Sequence, residues 1–582
     1  MSNNRFHDYA HTVLGQLPTR TAHDFFKNLK ANWYFPLSAL AFFWPQVQWL
    51  VEPEIWHVSL AITFICMLFI SGQLPNLWNE TRAHGWFVQM WTLLSACGIL
   101  LRSQRFAYDA LAGDASFQAL VADSSTNMAR FVSVALALGG FLFIYICLCW
   151  FWSRLGEMLR DCLLFSKLTR WEWVLYSLLA LAEILCMARI FFATTAFYTN
   201  DPSGYDIIYT SDSGALVNNM GYLFITFPEN DLRQPLFALF AAPFLGAPYF
   251  LGQILQLSPT SQAILVDAVQ IVMLVLANLL LTRLLDLKPL ERAALMLITS
   301  FTYAQMLGVL MMEQYIVAYF WLALTLALLA ANREAISSNI TGGGYKSHYI
   351  ALYGAGSTLL TSLFWTPLHS AHSPFRDFRK WFLDMLKCGL GFIALLFVFG
   401  RYDVFATLID KIESLDKFTG KAVPLSGRIE QYTAFIHDIF LTPTASAGLT
   451  GTEPATHISW MLAPVEQLNL VGLVILALAL VSLLLNRHSR AARIAGCWFL
   501  FSLALLVGLG WGTKENGLIL YALYFGWAYV LLLFQLLLKL TRYLQATWLL
   551  VLFSLLITAL LAGVNIPGIL EIVHFGLEYF VR

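Results

Sequence analysis

Between two long apolar runs the chain carries a stretch in which carboxylates, hydroxyls and aromatic rings occur together. It begins Tyr198-Thr199-Asn200-Asp201-Pro202-Ser203-Gly204-Tyr205-Asp206 and continues through Tyr209-Thr210-Ser211-Asp212-Ser213-Gly214. It closes on Pro228-Glu229-Asn230-Asp231-Leu232-Arg233. A connection between two helices needs only a few residues, and this one runs from 197 to 233. The mixture suits a sugar, whose ring stacks on an aromatic face while carboxylates accept bonds from its hydroxyls. A carboxylate at a membrane surface is also able to deprotonate an attacking hydroxyl. The plainer alternative is a solvated acidic loop. Tyr209, Glu229 and Asp231 are the further candidates here for contact with substrate. Arg233 opens the apolar stretch 235–256. A guanidinium there either snorkels to headgroups or clamps a lipid phosphate, for which its planar fork is well shaped.

Other polar residues stand in or near apolar runs, where they are costly and therefore informative. Glu313 lies in Leu310-Met311-Met312-Glu313-Gln314-Tyr315, a tight turn between two expected spans on the side of the acidic loop. The glycines of Gly508-Leu509-Gly510-Trp511-Gly512-Thr513-Lys514 let a ligand approach the backbone closely, and Lys514 is placed to meet a phosphate. Glu183 and Arg189 share one expected span, six residues apart, which does not align them on one helix face. Each then needs a partner on another helix, and Asp267 is one candidate for Arg189. In the 401–464 stretch, Lys421, Arg428, Glu430, His437, Asp438 and His457 are further acceptor contacts with nothing to rank them.

The elements that must position these residues follow from composition. Of 582 residues, 59% are hydrophobic and 12% charged, about half the charge of a soluble domain, and the mean hydropathy is +0.67. The chain is an all-α polytopic membrane protein by this measure. Thirty-five basic and thirty-five acidic residues cancel, which removes the case for nucleic acid as a partner. Nineteen Trp and 23 Tyr fit interfacial belts. The eight cysteines fall mostly within apolar segments and read as small buried hydrophobes rather than as a zinc site. No cleavable signal peptide is visible in the polar residues 1 to 31.

At about 20 apolar residues per crossing, spans are expected near 33–52, 56–74, 85–102, 128–152, 173–196, 262–284, 291–311, 314–331, 380–400, 466–486, 493–511, 517–538 and 545–566. With the N-terminus in the cytoplasm, the clusters Arg154 to Arg170, Arg283 to Arg292, Arg487 to Arg493 and Lys539 to Arg542 fall on the cytoplasmic side. The acidic 197–233 stretch then falls outside, as does the long 401–464 loop. If 235–256 alone crossed, the cluster 283–292 would move outside; if 349–368 alone crossed, the cluster 487–493 would. Both stretches are therefore expected to be re-entrant or interfacial, 235–256 as a helix broken at Pro235, Pro243 and Pro248. The organisation is about 13 spans plus two such helices. Residues 1–170 form an N-terminal cytoplasmic segment with four helices, 171–400 a core, and 401–582 a long outer loop with the C-terminal helices. The sequons at Asn79 and Asn339 lie on the cytoplasmic side and read as chance matches.

A helix ending in a polar outer loop with an Asp, followed by Arg233-Gln234-Pro235-Leu236-Phe237, resembles the GT-C integral membrane glycosyltransferases, chiefly over residues 173–335. The resemblance implies a polyprenyl-phosphate-linked sugar donor and a glycan or glycolipid acceptor at the periplasmic face of a bacterial inner (plasma) membrane. It implies Asp212 as the base or acceptor-aligning acid, Arg233 near the donor phosphate, and Glu313 as the polar residue of the second outer turn. Asp206 competes with Asp212 as base, because the family's adjacent acidic pair is missing and four spans precede the helix that should be first. No cofactor is required by the pattern, and a divalent cation stays open. Two other classes compete. A transporter or flippase of a lipid-linked glycan would centre on Glu183, Arg189 and Asp267, and a polysaccharide polymerase or ligase would use arginines of the outer loops.

Overall fold

The computed structural model describes residues 22–50, 56–73, 77, 84–112, 126–162, 167–199, 208, 223, 236–331, 353–354, 378–398, 423–442, 448–449, 458–459, 470–511, 519 and 521–580. Within these, every long apolar run is helical, as hydrocarbon solvent demands: with no water to bond it, a backbone has to satisfy its own N–H and C=O groups. The helices are α1 (Ala22–Ala31), α2 (Tyr34–Leu50), α3 (Trp56–Gln73), α4 (Trp86–Ala112), α5 (Thr126–Asp161) and α6 (Arg170–Ala193). There follow α7 (Phe237–Ile254), α8 (Pro259–Leu281), α9 (Pro289–Ser300), α10 (Tyr303–Gly308), α11 (Gln314–Ala331) and α12 (Phe378–Val398). The C-terminal part holds α13 (Leu425–Phe440), α14 (Leu470–Leu485), α15 (Arg490–Leu503), α16 (Ala522–Tyr543) and α17 (Thr547–Tyr579). The strands among the described residues are two-residue pieces, Gly448–Leu449 paired antiparallel with Ile458–Ser459. Seven helices are long and apolar enough to cross a membrane: α5, α6, α7, α8, α15 with its π-helical extension, α16 and α17. Seven of the eight cysteines, all but Cys388, have described side chains, and these are free thiols.

Three expectations need correction. The stretch 235–256 is not a broken helix: α7 continues through Pro243 and Pro248 and is long and apolar enough to span. Neighbouring donors reach its backbone beside the prolines, with Trp91 Nε1 (3.2 Å) and Ser95 Oγ (3.1 Å) donating to the Pro243 carbonyl and Gln262 Nε2 (3.2 Å) to that of Pro248. The expected single span 291–311 is instead discontinuous, α9 and α10 being separated at Phe301–Thr302. The 401–464 loop contains α13, whose residues 431–440 are buried against α10, α14 and α16. The second stretch, 349–368, lies outside the described residues apart from Tyr353 and Gly354.

Contacts between helices fix their relative directions. Tight packing of α7 on α4 brings Gly98 against Gly246, where a Cβ on Gly98 would lie 2.2 Å from the Gly246 carbonyl oxygen. Because Ser95 meets Pro243 and Gly98 meets Gly246 and Phe250, α7 runs parallel to α4. A turn at 255–258, with Gln256 in the left-handed region (φ 48°), reverses the chain into α8. Ser258 caps α8 by accepting from the Ser261 N–H (3.3 Å), and Pro259 occupies the first turn, where no donor is needed. Phe240, near the start of α7, lies against Trp321 (ring centroids 5.2 Å). Two residues before Trp321, Tyr319 bonds Asn278, close to the end of α8 (2.7 Å). The start of α7 therefore lies toward the end at which α8 stops, whereas Tyr198 bonds Thr260 in the first turn of α8 (2.8 Å). Thr199 and Leu236 consequently sit toward opposite ends of α8.

The basic connections do gather at one end. Arg292 Nη2 donates to the Lys167 carbonyl (3.1 Å) and Arg283 Nε to that of Cys162 (2.8 Å). Arg542 donates to the Asp286 carbonyl (3.2 Å), Lys539 Nζ to that of Leu485 (2.6 Å), and Gln535 Nε2 to Ser489 Oγ (2.8 Å). Connections α5–α6, α8–α9, α14–α15 and α16–α17 are tied together here. At its centre Arg292 Nε meets Glu172 Oε1 (2.8 Å), with both side chains buried. Glu172 also accepts from the Thr169 N–H (2.9 Å) and hydroxyl (2.7 Å), closing the first turn of α6. At the same end burial pushes the Cys162 thiol up, against the lowering influence of Arg283.

Candidate functional site

Four polar residues of α8 fall on one buried face at helical spacing, Thr260, Asp267, Gln270 and Asn278, while Gln262 faces α7. Each of three has a partner on another element. Thr260 Oγ1 bonds the Tyr198 hydroxyl, and the Asn278 amide donates to Gln305 Oε1 (3.0 Å) while accepting from Tyr319. Gln270 embraces the backbone of Glu313, accepting its N–H at 3.2 Å and donating to its carbonyl at 3.3 Å. Asp267 differs. It is 0% exposed, and neither carboxylate oxygen has a hydrogen-bond partner among the described residues. An ionised carboxylate so placed costs several kcal/mol until a cation or a donor-bearing group completes it.

The Gln270 bonds also set the depth of the turn between α10 and α11. Gln270 is eleven residues past Pro259, about 16 Å along a helix, so the Glu313 backbone sits well below the tip of α8. Glu313 itself is buried, not an exposed turn acid. Tyr315, next but one, packs edge-on against Tyr521 (5.2 Å), whose hydroxyl accepts from Trp511 Nε1 (3.1 Å).

The root of the acidic stretch is firmly held. Ala196, Phe197 and Tyr198 are buried, as are Ile208 and Leu223 farther along. Thr194 donates to the Gly576 carbonyl (2.8 Å), and the Thr195 N–H to that of Phe580 (3.1 Å), fastening the end of α6 to the end of α17. Of the residues singled out from the sequence, Asp206, Tyr209, Asp212, Glu229, Asp231, Arg233 and Lys514 lie outside the described residues, as do Lys421 and His457.

The intramembrane charges do not pair as the sequence suggested. Arg189 is exposed on α6, Glu183 is half-buried, and no Arg189–Asp267 bond forms. His437 and Asp438 are buried in α13 and bonded to each other, Nδ1 to Oδ1 at 2.7 Å, although adjacent helical residues do not ordinarily face one another. Arg428 donates to the carbonyls of Val423, Val507 and Gly508, a structural role at the end of the α15 extension. Nearby, Tyr432 bonds Ser502 (2.7 Å) and Tyr529, and burial pushes its phenol up to about 12. Among the described residues no three His, Cys, Asp or Glu side chains are grouped to hold a metal ion.

Sequence reasoning weighed Asp267 as a partner for Arg189 and as one of the charges of a transporter, and passed over Gln270. The available signal was the run of polar residues along one face of an otherwise apolar helix. These helices define the class: a polytopic α-helical membrane protein with a lipid bilayer as its surroundings. No protein-family model, no curated protein and no solved structure matches the chain.

Proposed function

We propose that the protein is a membrane glycosyltransferase that moves a sugar from a polyprenyl-phosphate donor to a hydroxyl of a cell-envelope glycan or glycolipid. The observation that carries this reading is the common attachment of two polar segments to α8. The acidic stretch is rooted at Thr260 through Tyr198, the Glu313 turn is held at Gln270, and Asp267, with no hydrogen-bond partner among the described residues, lies between them. In the reaction Asp212, or Asp206 in its place, takes the proton of the acceptor hydroxyl. The hydroxyl oxygen forms its bond to the anomeric carbon as the bond to the lipid phosphate breaks, and the phosphate leaves with the electron pair. Lys514 offsets the charge that develops on it. Inversion follows from the single displacement. In this reading the end bearing the basic connections faces the cytoplasm of a bacterial inner membrane. The test is transfer of labelled glycan by Asp212→Asn and Asp206→Asn in membranes where both variants insert normally; activity retained in both removes the assignment.

One observation favours a second reading, a transporter or flippase of a lipid-linked glycan. Asp267 is a carboxylate within a spanning helix with no described partner, the position expected of a coupling site. Translocation of a labelled glycolipid across proteoliposomes that fails in Asp267→Asn, with no transfer product in either protein, would select this reading.

A further inference from the structure

The basic end carries a compact cationic corner that the sugar-transfer reading does not use. The Arg292 guanidinium bonds both the Lys167 carbonyl and the Leu287 carbonyl (each 3.1 Å), so one side chain draws the α5–α6 and α8–α9 connections together. Arg542 then reaches the second connection from α16, through the Asp286 carbonyl and Glu291 Oε2 (3.1 Å). Lys167, Arg170, Lys288 and Arg542 are exposed on this corner. Its acids offset them only in part. Glu172 and Glu291 are buried and committed to Arg292 and Arg542, leaving Asp161 and Asp286 exposed. The described bonds of Arg542 use Nη2 alone, which leaves the rest of its half-exposed fork for a ligand.

What surrounds the charges selects the ligand. Trp171 and Trp173 follow Arg170 directly and are 44% and 40% exposed, and Trp548, beyond Arg542 in the chain, is 65% exposed. Leu290, two residues after Lys288, is exposed as well. Cations beside exposed indoles and aliphatic surface match an amphiphile with an anionic head, because the rings sit at headgroup depth and the charges above them. A free anion would meet the same charges but gain nothing from the apolar rim.

We propose that this corner, formed by Lys167, Arg170, Lys288 and Arg542 over the buried Glu172–Arg292 pair, is a binding site for the phosphate head of an anionic phospholipid. The test uses the full chain in bilayers of phosphatidylcholine mixed with an equal amount of phosphatidylglycerol, and reads by mass spectrometry the lipid that remains with the protein after mild extraction. Phosphatidylglycerol is expected to be enriched. Lys167→Gln and Arg170→Gln should each reduce the enrichment about fivefold, equivalent to about 1 kcal/mol per surface cation. Arg189→Gln, near the far end of α6, should leave it unchanged. In the wild-type protein the enrichment should fall as salt is raised during extraction, a readout independent of how any variant folds. Equal retention of the two lipids, an enrichment indifferent to salt, equal losses in Arg189→Gln, or displacement of the lipid by inorganic pyrophosphate would each overturn the proposal.

Discussion

Replacing Arg292 by methionine strands Glu172, and the consequence can be worked from the bonds. Arg292 donates twice to Glu172 and once each to the Leu287 and Lys167 carbonyls. The Glu172 side chain is 0% exposed and the Arg292 side chain 6%. Removing one member of such a pair leaves an uncompensated buried charge, a loss of about 3–5 kcal/mol. Removing both, as Glu172→Met with Arg292→Met, abolishes that charge and leaves the two carbonyls short of a donor, at about 1–3 kcal/mol each before relaxation toward water. The double variant should therefore be no less stable than Arg292→Met alone, although it carries one more substitution. The coupling between the two positions should reach about 2 kcal/mol or more. Reversible unfolding in bilayers or mixed micelles, followed for wild type, both single variants and the double, measures it. Additive losses would refute the reasoning, because they would mean that the pair contributes no interaction of its own.

Three other outcomes are expected. Asn565, buried within α17, donates to the Phe301 (2.8 Å) and Phe440 (2.7 Å) carbonyls and accepts from the Thr442 N–H (2.8 Å); Asn565→Leu should cost about 2–4 kcal/mol on thermal unfolding, since two buried carbonyls lose their donor. Gly98→Val should prevent assembly of α4 on α7, seen as loss of monodisperse protein, because the Gly246 carbonyl is backbone and cannot move aside. Tyr198→Phe removes the bond to Thr260 and should cost about 1 kcal/mol. It should also raise the rate of proteolysis between residues 199 and 236 if that bond roots the segment.

The helices were largely legible, because about 20 apolar residues in a row leave the chain little else to do in lipid. What escaped was where helices break and where they do not. Prolines at 243 and 248 argued for interruption, yet α7 is continuous through both and is tied to α4 and α8 by bonds from Trp91, Ser95 and Gln262, remote in sequence. Conversely, nothing local marks the break at Phe301, whose carbonyl is taken by Asn565 far along the chain. Charge counting correctly grouped the basic connections. For 235–256 it compared one extra crossing with none and so argued against a span, whereas α7 is long and apolar enough to be one. At the candidate site, Glu313 was noticed as the acid of a tight outer turn, but its depth was not legible because it is set by Gln270 of another helix. Asp267 was one candidate partner for Arg189 because both are charges within apolar runs, and tertiary packing leaves Arg189 exposed on α6 instead.

The glycine contact between α4 and α7 bears on how motion would travel through this molecule. With Gly98 against Gly246 there is no side chain at the crossing to absorb a displacement, and two further bonds tie α4 to the Pro243 carbonyl. A short reversal then joins α7 to α8, the helix that carries Asp267. Any tilt of α8 is passed to α7 and from there to α4, which packs on α2 and α5. Removing the N-terminal helices would therefore strip α7 of its packing partner α4, and the expected result is a looser polar face on α8 rather than merely a shorter chain.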